Sequence, residues 1–277
     1  MSSSTPDSAG DAGGIAPGGA APTSGGWSAP SGPAGARAGI GLAFHRQPTS
    51  KKMLEIAWDY PASLDLPKVE PGSPESTRVQ PRMVALPREE AIAHLNETDK
   101  RPLLVLRECQ WCRGTDDALL SRDLDNEKTK LLSRWFHCVK LRPHVLDPEH
   151  RFHNLFGGES PPHLFLASAD GSNVVPFDGR QSAASLWEAM SSVLRREYGK
   201  DPEVALRELR RLLDRYDHLE SLEIQLREQL DAAVEAHGPA SPKTRRVRAR
   251  LEAIEREKAE AKAREAEVSD LDLKNPA

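Results

Sequence analysis

The chain has 277 residues with 38 Lys and Arg against 42 Asp and Glu, a net charge of -4. Its hydrophobic content of 38% and mean hydropathy of -0.57 are too polar for every residue to share one packed core. The near-balance of charge gives no general reason to expect nucleic acid or an anionic membrane as partner. No apolar run reaches the ~18–20 residues of a membrane helix, and no secretory leader is legible before Arg37, so a cytoplasmic location is expected.

Residues 1–38 are dominated by Gly, Ala, Ser and Pro and read as a disordered tail, since too little apolar surface is available to offset chain entropy. Residues 39–81 read as an irregular extension. Within it Leu54 to Tyr60 alternates like a strand, and Pro61, Pro67, Pro71, Pro74 and Pro81 break up the rest of the segment.

Residues 82–198 alternate helix and strand signals. A helix is predicted from Pro87 to Leu95, and a strand buried on both faces over Pro102 to Leu106. A long helix is predicted from Asp116 to Arg134, with Leu119, Leu120, Leu124, Leu131 and Leu132 as its apolar positions. Strands are expected at Trp135 to Leu141 and His163 to Ala167, with Ala169 to Ser172 turning into a further strand at Asn173 to Val175. Gln181 to Tyr198 closes the region as a helix. This order describes a small α/β domain with a mixed sheet flanked by helices.

Beyond it, residues 201–270 carry leucines at helical spacing within dense charge, broken at Gly238 to Pro242. They read as a helical hairpin or coiled coil, able to join a protein partner or a second copy of the chain.

Three cysteines do not make a disulfide framework in a chain of this length, but Cys109 and Cys112 form a Cys-x-x-Cys pair between a predicted strand and a predicted helix. A thiolate at a helix start is stabilised by unpaired N–H groups and the dipole. Cys138, in a predicted central strand, reads as a core residue. His144, His150, His153 and His163 lack the paired spacing of a zinc site, so no metal is expected; nor is any cofactor.

The run Arg101 to Leu106 leading to Cys109-Gln110-Trp111-Cys112 resembles the strand and redox-motif entry of the thioredoxin-like superfamily. Trp135 to Leu141 is similar to the strand after the first active-site helix of that family, and Ser160 to Leu166 with Asp170-Gly171 to its proline strand and hairpin. The resemblance covers about a hundred residues and implies a thioredoxin-like mixed sheet, thiol–disulfide exchange with protein clients, and a substrate groove shaped by Pro162, Trp111 and Thr115.

Two registers are open. Read as Cys-x-x-Cys, Cys109 attacks and Cys112 resolves. Read without gaps, Trp111-Cys112-Arg113-Gly114-Thr115 matches Trp-Cys-x-x-Cys, with Cys112 as nucleophile, Thr115 in the place of the second cysteine and Cys109 an additional thiol. Both flanking spacings fit the second register. The acid that such enzymes bury six residues before the nucleophile is Leu106 in that register and Leu103 in the other, so a scaffold with degenerate chemistry that binds partners through its C-terminal helices is the competing expectation.

Overall fold

Leu103, Leu104, Val105 and Leu106 are all fully buried, and their alternation divides the interior in two. The structure, a computed structural model, describes residues 46–61, 84–108, 118–121, 125–179 and 181–275. Elements in chain order are α1 (Pro48–Met53), β1 (Trp58–Asp59), α2 (Arg88–Leu95), β2 (Leu103–Arg107), α3 (Glu127–Ser133), β3 (His137–Leu141), β4 (Leu164–Ala167), β5 (Val175–Phe177), α4 (Ala183–Glu197), α5 (Pro202–His237) and α6 (Pro242–Ser269). Two 3-10 turns, Pro143–Leu146 and His153–Phe156, lie between β3 and β4.

The five strands form one mixed sheet in the order β1-β3-β2-β4-β5. β1 and β2 run parallel to β3, while β4 is antiparallel to both β2 and β5. Side chains of a strand point alternately to opposite faces. Leu103, Val105, Val139, Leu141, Phe165 and Ala167 therefore share one core with Ala91, Ile92 and Leu95 of α2 and with Leu155 and Phe156. Leu104, Leu106, Cys138, Leu164 and Leu166 share the other with α3 and α4. Covered on both faces, the central strands carry continuous apolar runs.

The C-terminal helices belong to the second core. Leu206, Leu209, Leu212, Leu213 and Tyr216 of α5 join Leu131, Leu132, Met190 and Leu194 in it, along with Ala261 of α6 and Leu271. The two helices are antiparallel, since Glu208 meets Arg264, Tyr216 meets Glu265, and Glu223 meets Lys258. Past Tyr216 a separate small cluster, Leu219, Leu226 and Ile254, holds them together. After α6 the chain returns to the sheet layer. The indole of Trp135 donates to the Ser269 carbonyl at 2.9 Å, and Tyr198 bridges to Leu273.

Three predicted elements are shorter or shifted. The strand expected over Leu54 to Tyr60 is reduced to Trp58–Asp59. The long helix expected from Asp116 is described as helix only from Glu127, and Ala118 and Leu119 lie in a turn. Its start is delayed because Asn126 closes a loop with both backbone groups of Ser121, at 2.8 and 2.6 Å, and Asp125 accepts from the Glu127 amide. Such short polar side chains offer the backbone an alternative to the helical ladder. The last strand lies at Val175–Phe177 rather than Asn173 to Val175, because Asn173 sits at φ 53° and donates to Ser168 and Ser172, prolonging the turn.

Candidate functional site

In the chain the Cys-x-x-Cys segment follows the C-terminal end of β2. Arg107 ends that strand, and the Glu108 amide still donates to the Leu141 carbonyl at 2.8 Å, so the parallel ladder continues to the residue before Cys109. Cys109, Trp111, Cys112 and Thr115 themselves lie outside the described residues.

Pro162 is described, and it stands beside this strand end. The Arg107 amide donates to the His163 carbonyl at 2.8 Å, which places the Pro161-Pro162 segment immediately before β4 and next to the last residue of β2. The Arg107 side chain reinforces the contact. Its Nε donates to the Pro162 carbonyl at 3.2 Å and an Nη to the Pro161 carbonyl at 3.1 Å. Arg107 is buried and makes no ion pair among the described residues. Burial holds its pKa below the ordinary guanidinium value, with the nearby charge of Asp178 opposing.

His163 completes this corner. Its amide donates to the Phe177 carbonyl and its Nδ1 accepts from the Gly179 amide at 3.3 Å. Burial, then the Arg107 charge, lowers its pKa, so it is held neutral more firmly than a free imidazole. A depression of about 380 Å³ opens alongside, lined by Pro162, Phe165, Val174 and Pro176 with Arg88 and Asp178. On the other side Glu108 pairs with Lys140 at 3.8 Å.

Sequence reasoning missed Arg107. The available signal was parity: Arg107 has the same strand phase as Leu103 and Val105, which turns its side chain toward a buried face. A buried cation without a carboxylate must find neutral acceptors, and the two proline carbonyls supply them.

No protein-family model, curated protein or solved structure matches this chain.

The remaining candidates fall elsewhere. Cys138 is 2% exposed, donates to the Ser133 carbonyl at 3.4 Å, and has its thiol pushed up to about 12 by burial. It is a core residue and no nucleophile at neutral pH. His144 and His150 meet edge to face with centroids 4.8 Å apart, and His150 Nδ1 accepts from the Phe152 amide. Among the described residues no three His, Cys, Asp or Glu side chains converge as a metal site. Nor is any described helix long and apolar enough to cross a membrane. Leu103 and Leu106, the two positions considered for a buried acid, are both fully buried, Leu106 on the face covered by α3.

Proposed function

We propose that residues 82–198 form a thioredoxin-like domain carrying out thiol–disulfide exchange, with Cys112 as attacking thiolate and Cys109 or an external thiol resolving. The observation that carries this reading is the sheet. Its order is β1-β3-β2-β4-β5, antiparallel only at β4 and β5, and Arg107, the last residue of β2 and two residues before Cys109 in the chain, stands against Pro161-Pro162. In the exchange, the thiolate sulfur bonds to one sulfur of a protein disulfide, the S–S bond breaks, and the departing client sulfur takes up a proton. A second thiolate then attacks the mixed disulfide, leaving the client reduced and the resolving pair oxidised. The positive charge of Arg107, two residues before Cys109 in sequence, is of the sign that favours a thiolate over a thiol. A reducing compartment such as the cytoplasm suits this chemistry.

A second reading has its own observation. The positions six residues before Cys112 and Cys109, where the resemblance would place an acid, are the fully buried leucines Leu106 and Leu103. On this reading the domain is a scaffold that binds protein partners, or a second copy, through its C-terminal helices.

Alkylation of Cys109 and Cys112 at graded pH, followed separately by mass spectrometry, decides between them. Exchange chemistry requires one of them to react as a thiolate well below the ordinary thiol pKa of about 8.5. Ordinary titration or inaccessibility of both leaves the scaffold. Activity lost in Cys109→Ser and retained in Cys112→Ser reverses the register.

A further inference from the structure

The net charge of -4 conceals a strong local segregation at the far end of the helical hairpin. From Ala236 to Leu251 the chain has no acidic residue and five basic ones, Lys243, Arg245, Arg246, Arg248 and Arg250. All five are exposed on the first turns of α6. The four arginines make no ion pair among the described residues. Nor do Arg207 and Arg256 of the same hairpin, whereas Arg210, Arg211, Arg215, Arg227 and Arg264 are paired; only between Lys243 and Arg250 are unpaired cations clustered.

Helix stability does not account for them. The N-terminal end of a helix favours anions and disfavours cations, and the first turn of α6 holds no acidic residue. The cap is supplied instead by Ser241, whose Oγ accepts from the Thr244 amide at 3.1 Å. Packing does not account for them either, because Thr244 and Ile254 form the buried side of α6 while the cations face solvent. The nearest acids of α5 do not quench them. Glu228, Asp231 and Glu235 stand roughly 140° to 180° around the helix from the buried Leu226, on the side away from α6.

We propose that the solvent side of the first turns of α6, with Lys243, Arg246 and Arg250 on one flank and Arg245 and Arg248 on the other, is a binding surface for the phosphate backbone of a nucleic-acid duplex. From Lys243 to Arg250 it spans about 10 Å, over which a duplex presents roughly six phosphate charges to the five cations. Apolar content argues against other anionic partners. The exposed large hydrophobic residues among those described are Tyr60, Val84, Val174, Val204 and Ile224, so none lies among these cations to enter a bilayer or seed a protein interface. No Phe, Tyr or Trp follows Tyr216, so the large stacking platforms that bind single strands are lacking. Recognition through backbone charge alone is independent of base sequence.

The test is fluorescence anisotropy of a labelled duplex of about 20 base pairs with the full chain, titrated between about 20 and about 200 mM salt. Log affinity should fall with log salt at a slope of about -4, near 0.9 for each phosphate contacted. The quadruple variant R245Q/R246Q/R248Q/R250Q should bring that slope to about -1 and weaken binding at the lowest salt by about 100-fold or more. Circular dichroism checks that its helix content is unchanged; if it is not, R245Q and R248Q singly should each lower the slope by about 0.9. An undetectable duplex complex at the lowest salt overturns the proposal. So does a complex that the variants leave intact. Binding to anionic vesicles without duplex binding, or self-association in sedimentation that the variant abolishes without duplex binding, would assign the surface to a lipid or to a second copy instead.

Discussion

Arg46 sets the attachment of the segment before β2. Its guanidinium reaches Glu127 of α3 at 2.6 Å and Asp214 and Asp217 of α5 at 2.8 and 2.7 Å. Next to it Asp217 accepts from the Gln47 amide and the Ser50 hydroxyl, and Glu220 accepts from Thr49. Through these contacts α1 is fixed on α5, and Met53 enters the core. Arg46→Ala removes three pairs of unequal worth. Asp214 is 73% exposed, so its pair contributes about 0.5 kcal/mol, whereas the partly buried pairs to Glu127 and Asp217 contribute about 1 kcal/mol each. Arg210, 3.5 Å from Glu127 in the wild type and unchanged by the substitution, keeps that carboxylate partly paired but returns nothing, so the expected loss is about 2.5 kcal/mol. For a chain this size that lowers Tm by about 6 °C in a thermal scan.

The same variant has a defined pH signature. Burial would raise the Asp217 carboxyl, but bonds from Ser50, Gln47 and Arg46 hold its pKa below the ordinary value. Stability from a depressed carboxyl is present above its unfolded pKa of about 3.9 and is lost as pH falls through the folded one. The gap between wild type and Arg46→Ala should therefore be widest near neutrality and shrink as pH drops from about 4 toward 2. Arg46→Lys should recover less than half the loss, because one ammonium cannot bridge three carboxylates in a fork. A Tm within about 1 °C of wild type, or a gap that does not shrink in acid, refutes this account.

Other sites give further expected outcomes. With its thiol pushed up to about 12 and its side chain buried, Cys138 should resist alkylation at neutral pH in the folded chain and react once urea unfolds it. Labelling under native conditions would contradict its placement. Gly171 sits at φ +79°, and a Cβ there would lie 2.2 Å from Ile92 Cδ1, so Gly171→Ala should cost about 2 kcal/mol in urea denaturation. Arg107→Met should lower global stability by only about 1 kcal/mol, since two lost hydrogen bonds are offset by relief of a buried charge. Its local effect should be larger: faster hydrogen exchange at the amides of Arg107 and His163, with α5 unaffected.

The legible parts of this fold are those where one physical signal dominates. Leu103 to Leu106 is an uninterrupted apolar run because both faces of β2 are covered, and the α5 leucines keep helical spacing because one stripe is buried. The failures occur where local polar chemistry competes with that signal. Asn126 and Asp125 delay a helix that the leucines alone would begin earlier, and Asn173 carries a turn two residues further. The place of Pro162 just before a strand was legible from the apolar run that follows it. Arg107 was not, since a charged residue after an apolar run looks like the point where a strand reaches water.

The helical hairpin expected over residues 201–270 is present, but dense charge conceals how its helices are used. Charge density measures what faces solvent, and a long amphipathic helix can present mostly charge while one stripe completes a core. Leu206, Leu209 and Leu213 of α5 are each at most 2% exposed and pack in the same cluster as Met190 of α4 and Leu132 of α3. The first half of the hairpin is thus an outer layer of the α/β domain, and Trp135 and Tyr198 tie the end of α6 back to it. Only beyond Tyr216 do the helices pack chiefly on each other, through Leu219, Leu226 and Ile254. In that distal half Arg245, Arg246, Arg248, Arg250 and Arg256 of α6 are exposed and make no ion pair among the described residues, and packing leaves the clustering of the first four unexplained.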